Sequence, residues 1–178
     1  MRSIICLTVA FVLSLAPTAA RSLILRLPDT QVNVTFSPDG GTTQKLVEAI
    51  KTCQNGERLL VAAYSFTSKP IVQALIEAKR AGVDVQILVD KGQERNRYSG
   101  WKACVQAGIP VYFDVIHSIQ HNKFMVFGDR GVTFGSFNFT VNAEKNNAEN
   151  NLVVWSPSLA RVYAENWTAL VLKARIAK

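Results

Sequence analysis

His121 is one of two histidines in this 178-residue chain, and Lys123 follows it two places later. Residues two apart on a β-strand share a face. A strand running into the apolar FMVF (residues 124–127) would therefore project imidazole and ammonium side by side. Gly128-Asp129-Arg130-Gly131 is turn chemistry, and a second short strand then ends in Gly135-Ser136-Phe137-Asn138. A hairpin of that length returns Ser136 and Asn138 to His121 and Lys123. One nucleophile or base, one fixed cation and two neutral hydrogen-bond donors in one place suit a tetrahedral oxyanion centre such as phosphate.

The elements that must position this set are legible as periodicities. Val32 to Phe36 alternates like a strand and is ended by Ser37-Pro38-Asp39-Gly40-Gly41. Thr42 or Thr43 is placed to cap a helix whose apolar face is Leu46, Val47, Ile50 and Cys53. Leu59 to Tyr64 and Val83 to Val89 are continuous apolar runs, the mark of strands buried on both sides. Between them Ser68 and Pro70 open a helix that Gly82 stops, an order that requires a right-handed crossover and a parallel pair. Lys91 to Tyr98 is polar, either a solvated loop or a basic rim at a strand's carboxyl end, where such sheets carry their sites. Trp101 to Ala107 predicts a helix, Val111 to Phe113 and Leu152 to Trp155 strands, and Pro157 to Ala177 a closing helix. There is no internal repeat.

His121-x-Lys123 with Gly135-Ser136-x-Asn138 downstream resembles the signature of the phospholipase D superfamily. The longer match HNKFMV…TFGSFNFT…NAEN is similar to its single-motif, Nuc-type bacterial endonucleases, and Leu59 to Asp90 looks like their first strand–helix–strand unit. The resemblance implies an α/β fold: a mixed, largely parallel β-sheet flanked by helices on both faces. It implies that His121 attacks phosphorus to form a phosphohistidine, that Lys123, Ser136 and Asn138 bind the non-bridging oxygens, and that Glu149 holds the histidine's other ring nitrogen. It makes Gly135 and an aspartate structural parts of the motif. Here the sequence departs from the pattern, with Gly128 at the aspartate's position and Asp129 one place later. A second histidine must protonate the leaving oxygen. With one motif per chain it should come from a second subunit, giving a homodimer with the site at its two-fold interface. His117, Lys91, Arg95 and Ser65 are expected to contact substrate, His117 being the competing candidate for the second histidine.

Residues 1–20 read as a secretory signal peptide, with Arg2 charged, Ile4 to Leu15 apolar and Thr18-Ala19-Ala20 small before a cleavage point at Arg21. Residues 21–178 then form one domain, periplasmic or secreted, with no stable membrane insertion. Its Lys and Arg outnumber Asp and Glu, 20 against 13 in the whole chain. That balance favours a polyanionic partner without choosing between nucleic acid and an anionic membrane. Cys53 and Cys104 are an even pair in an oxidising compartment, equally readable as a disulfide or as two buried thiols. With no CxxC and two histidines a metal site is not expected, nor any cofactor, since paired lysines supply the positive charge. The sequons at Asn33, Asn138 and Asn166 read as chance. The expectation is a metal-independent endonuclease acting on DNA, with RNA the second candidate. Its rivals are a phospholipase D-type lipid phosphodiesterase and a nucleic-acid-binding member without turnover.

Overall fold

Continuous apolar strands need cover on both faces, and the chain provides it. The computed structural model describes Leu27 and residues 30–177; the leader expected over residues 1–20 lies outside the described residues. In chain order the elements are β1 (Gln31–Ser37), α1 (Thr42–Lys51), β2 (Arg58–Ala63), α2 (Lys69–Arg80), β3 (Asp84–Asp90), a 3₁₀ turn (Lys91–Glu94), α3 (Trp101–Gln106), β4 (Val111–Asp114), β5 (Lys123–Phe127), β6 (Gly131–Gly135), α4 (Val141–Lys145), β7 (Glu149–Trp155), α5 (Pro157–Val171) and β8 (Arg175–Ile176). The strands form one sheet in the order β1-β7-β6-β5-β2-β3-β4-β8.

Alternation along β2 sorts the two cores. Leu59, Val61 and Ala63 face Leu46 and Ile50 of α1, Ile71 and Leu75 of α2, and Cys104 of α3. Leu60 and Ala62 face the other way with Phe124, Val126 and Val132, under Ala160, Ala164 and Trp167 of α5. The Trp167 indole donates to the Val61 carbonyl at 2.8 Å, which fixes α5 across the middle of the sheet.

A mixed sheet with helices on both faces is therefore present, but it is not largely parallel. Among the described residues β2 pairs β3 and β3 pairs β4 in parallel, while β1–β7, β2–β5, β4–β8, β5–β6 and β6–β7 are antiparallel. The helical crossovers from β2 to β3 and from β3 to β4 carry the parallel returns, whereas β7 returns antiparallel to β6 although residues 136–148 and α4 lie between them. The three-residue turn at 128–130 forces the β5–β6 hairpin.

Two smaller expectations also change. Neither Thr42 nor Thr43 caps α1. Gly41 takes the cap position at φ 69°, Thr42 donates its hydroxyl to Thr35 at 2.9 Å, and the Thr43 amide is received by the Glu144 carboxylate of α4 at 2.7 Å. The closing helix ends at Val171, not Ala177, because the chain turns to add β8 beside β4.

Candidate active site

The carboxyl ends of β2, β3 and β4 and the amino end of β5 lie at one edge of the sheet, because β5 runs antiparallel to β2 with Ala63 opposite Lys123. The hairpin register Phe124↔Phe134 brings Gly135 and the residues after it back to the same edge. Glu149 opens β7 there, opposite Ser37 of β1. Gly135 is needed for this approach: a Cβ on it would come within 2.3 Å of the Asn150 carbonyl oxygen. The segment after Asn138 is tied to the end of β2, since the amides of Thr67 and Ser68 both donate to the Phe139 carbonyl, at 2.9 and 2.8 Å.

Lys123 is 7% exposed. Its ammonium donates to the His121 carbonyl at 2.7 Å and lies 5.1 Å from the centre of the Tyr64 ring. Burial pulls its pKa below the ordinary lysine value, and the Glu149 carboxylate works against that pull. His121 is exposed and lies in the lead-in to β5 rather than on the strand. Its ring packs on Tyr64 with centroids 4.6 Å apart. Histidine and lysine are therefore placed together as the sequence predicts, but around a shared aromatic wall.

Ser136 donates its hydroxyl to Glu149 at 2.5 Å and accepts the Asn150 amide at 3.1 Å. The other oxygen of Glu149 accepts from Asn147 at 2.9 Å. The expectation that Glu149 holds the His121 ring is corrected on this point: facing ends of β6 and β7 give its carboxylate to Ser136. Its charge still reaches Lys123. Asn138 presents a buried side-chain oxygen with no hydrogen-bond partner among the described residues.

The loop leading to His121 hangs from two strand-end aspartates. Asp114, 3% exposed, accepts the amides of Ile116 and His117 at 3.0 and 3.1 Å and the His117 Nδ1 at 2.7 Å. Burial alone would raise its pKa, but the bonds from His117 and Ile116 prevail and hold it below the usual carboxylate range. Asp90 accepts the Gln120 amide at 2.9 Å, and Gln120 accepts the Asn122 amide at 2.7 Å. Lys91 reaches the loop too, donating to the His117 carbonyl at 2.9 Å. Arg95 is exposed at the end of the 3₁₀ turn, and Ser65 is half-buried in the bend after β2. Sequence reasoning passed over Tyr64, Asp90, Asp114 and Gln120. The available signal was two aspartates and a tyrosine just at or past the ends of buried apolar runs.

Asp129 takes no part in this edge. It follows β5 at the opposite end, with a side chain 93% exposed and 3.6 Å from Arg58. Gly128 turns there at φ 55°, where a Cβ would press on Glu57 at 3.1 Å. The turn is braced by Arg130, which donates to both Glu57 oxygens at 3.0 Å and to the Thr52 carbonyl at 2.9 Å. Cys53 and Cys104 are free thiols, with burial pushing them up to about 11 and about 12. Among the described residues no group of three or more His, Cys, Asp or Glu side chains is arranged to hold a metal ion, and no helix is long and apolar enough to cross a membrane.

The family model for the cardiolipin synthase, PLD-like domain matches residues 46–171, which takes in every strand of the site except β1. The chain belongs to the phospholipase D superfamily. A phospholipase D of Rickettsia prowazekii is 36% identical over 144 residues, covering 81% of this chain and 69% of the relative. The crystal structure of a phospholipase D family member, Nuc from Salmonella typhimurium, superposes with a TM-score of 0.78 at 34% identity, covering 84% of this chain and 99% of that one. NucT from Helicobacter pylori, at 19% identity and a TM-score of 0.75, shares the fold. Superfamily membership is consistent with a phosphodiesterase-type hydrolase.

Proposed function

We propose that this phospholipase D superfamily member is a periplasmic or secreted endonuclease that hydrolyses DNA, and secondarily RNA, with little sequence preference. The observation that carries it is the buried Lys123 ammonium held against Tyr64 beside an exposed His121. A cation fixed out of bulk water binds a non-bridging phosphate oxygen far better than a solvated one. The His121 ring attacks phosphorus, forming an N–P bond as the leaving oxygen departs with a proton from a second histidine. Water then displaces the phosphoryl group from His121, giving up its proton to that second histidine. Ser136 and Asn138 line the same centre. The net basic charge and the likeness to Nuc-type endonucleases support a polyanionic substrate.

The second histidine comes from another copy of the chain. Val32, Val34 and Phe36 are 45, 52 and 65% exposed and, at alternate positions, share one face of β1. That face ends at Phe36, opposite Asn150 and one residue before Ser37, which pairs with Glu149 and points to the other side of the sheet. An apolar surface beside a site lacking its second histidine calls for a two-fold partner.

Plasmid DNA in excess EDTA, with a His121→Ala control, tests the reading. Cleavage by the wild type alone supports it, and no cleavage with or without added metal overturns it. One observation favours a second reading, a phospholipase. Val115, Ile116 and Ile119 are exposed in the loop leading to His121, suited to a lipid surface, and phosphatidylcholine hydrolysis would reveal it. The inactive-binder reading loses its one argument, since Gly128 stands at the far edge.

A further inference from the structure

Between the start of α2 and α3 lies a groove of about 330 Å³ with Val72 and Ile76 among its lining residues and Thr67, Lys69, Gln73 and Tyr98 around them. None of these groups is used by the chemistry above. The groove is tied through the backbone to the segment that carries Asn138, because the Thr67 amide donates to the Phe139 carbonyl at 2.9 Å.

Tyr98 is 68% exposed, yet it is not loose. Its amide donates to the Asn96 side chain at 3.0 Å. The next residue, Ser99, donates its hydroxyl to the Phe66 carbonyl at 3.2 Å, and Gly100 donates its amide to the same oxygen at 2.8 Å. A Cβ on Gly100 would come within 2.2 Å of Val72, so the glycine lets this segment close on α2. The Arg97 guanidinium sits 4.6 Å from the Tyr98 ring centre and donates to its hydroxyl. The result is an aromatic plane held in the open, backed by a cation, on an apolar groove whose mouth carries Lys69. Gln73 is engaged with Glu77 at 3.0 Å.

We propose that this groove is a nucleobase subsite. A base adjoining the cleaved phosphate stacks on Tyr98, its edge meets Gln73 and Thr67, and Lys69 takes a neighbouring phosphate. Aromatic planes joined to cations are how sequence-tolerant proteins grip single strands, because every base offers a π-face. The inference rests on the nuclease reading and adds a selection for polymers that carry bases, in unpaired or frayed form, over isolated diesters.

The test is fluorescence anisotropy in a His121→Ala background, comparing a single-stranded oligonucleotide with one of equal length made wholly abasic. Tyr98→Ala should weaken the base-bearing strand about ten-fold to a hundred-fold and leave the abasic strand unaltered, while Tyr98→Phe keeps most of the affinity. Lys69→Ala should weaken both strands alike. Equal loss on both strands for Tyr98→Ala, or no loss on either, overturns the subsite while the nuclease reading stands. No binding of either strand overturns both. Release from phosphatidylglycerol vesicles by Tyr98→Ala, with oligonucleotide binding intact, assigns the groove to lipid and overturns the proposal.

Discussion

Lys123 is charged at a place that resists charge. Burial lowers its pKa, so between that folded value and the unfolded value near 10.4 the unfolded chain binds more protons and stability rises with pH. Lys123→Met should therefore lower kcat by about 10²–10³-fold while leaving the thermal midpoint unchanged or raised, a split that kinetics and a melt measure together. The wild type should lose activity on the alkaline side below the ordinary lysine range, and Lys123→Arg should move that limb upward. Asp114 behaves oppositely. Its lowered pKa contributes stability that is present at neutral pH and lost as pH falls through the folded value. Asp114→Asn should cost about 1–3 kcal/mol near pH 7, and the deficit should shrink toward acid in urea titrations run across pH. His121, Lys123 and Ser136 were legible because each stands within a few residues of another motif member. Tyr64 and Asp114 were not. One meets its site partners across a strand pair, and the other works through loop amides that no side-chain pattern betrays.

At the scale of elements, the expected strands and helices that are long enough to show a period were found where the sequence puts them, except that the closing helix stops at Val171. α4, with five residues, is too short to show one, and with it went the origin of the α1 cap. Glu144→Ala should cost about 0.5–2 kcal/mol, the usual worth of a cap, read from a denaturant midpoint, because it strips the acceptor from Thr43 at 2.7 Å. Strand direction was legible at the β5–β6 hairpin and the β2–β3 crossover but not for the sheet as a whole. Apolar runs report burial on both faces, which antiparallel strands between helical layers satisfy as well as parallel ones.

For the whole molecule, the exposed face of β1 sets the expectation. Val34→Glu with Phe36→Glu should turn a dimer into a monomer by light scattering and lower plasmid cleavage with it, while Val141→Glu, at an exposed site on α4, should do neither. That β1 is also, among the described residues, the first strand and the outermost in the sheet has a consequence in time. Its partner, β7, is the last long strand to be made, with Gln31 waiting for Trp155. Closing so long a loop is a late event in folding. Ser37, Glu149 and the apolar face beside them therefore come into place only once nearly all of the sequence exists. A growing chain that has the histidine, the lysine and the serine still lacks the β1–β7 pair. For the endonuclease proposed above, chain order therefore leaves this end of the sheet unfinished until β7 has been made.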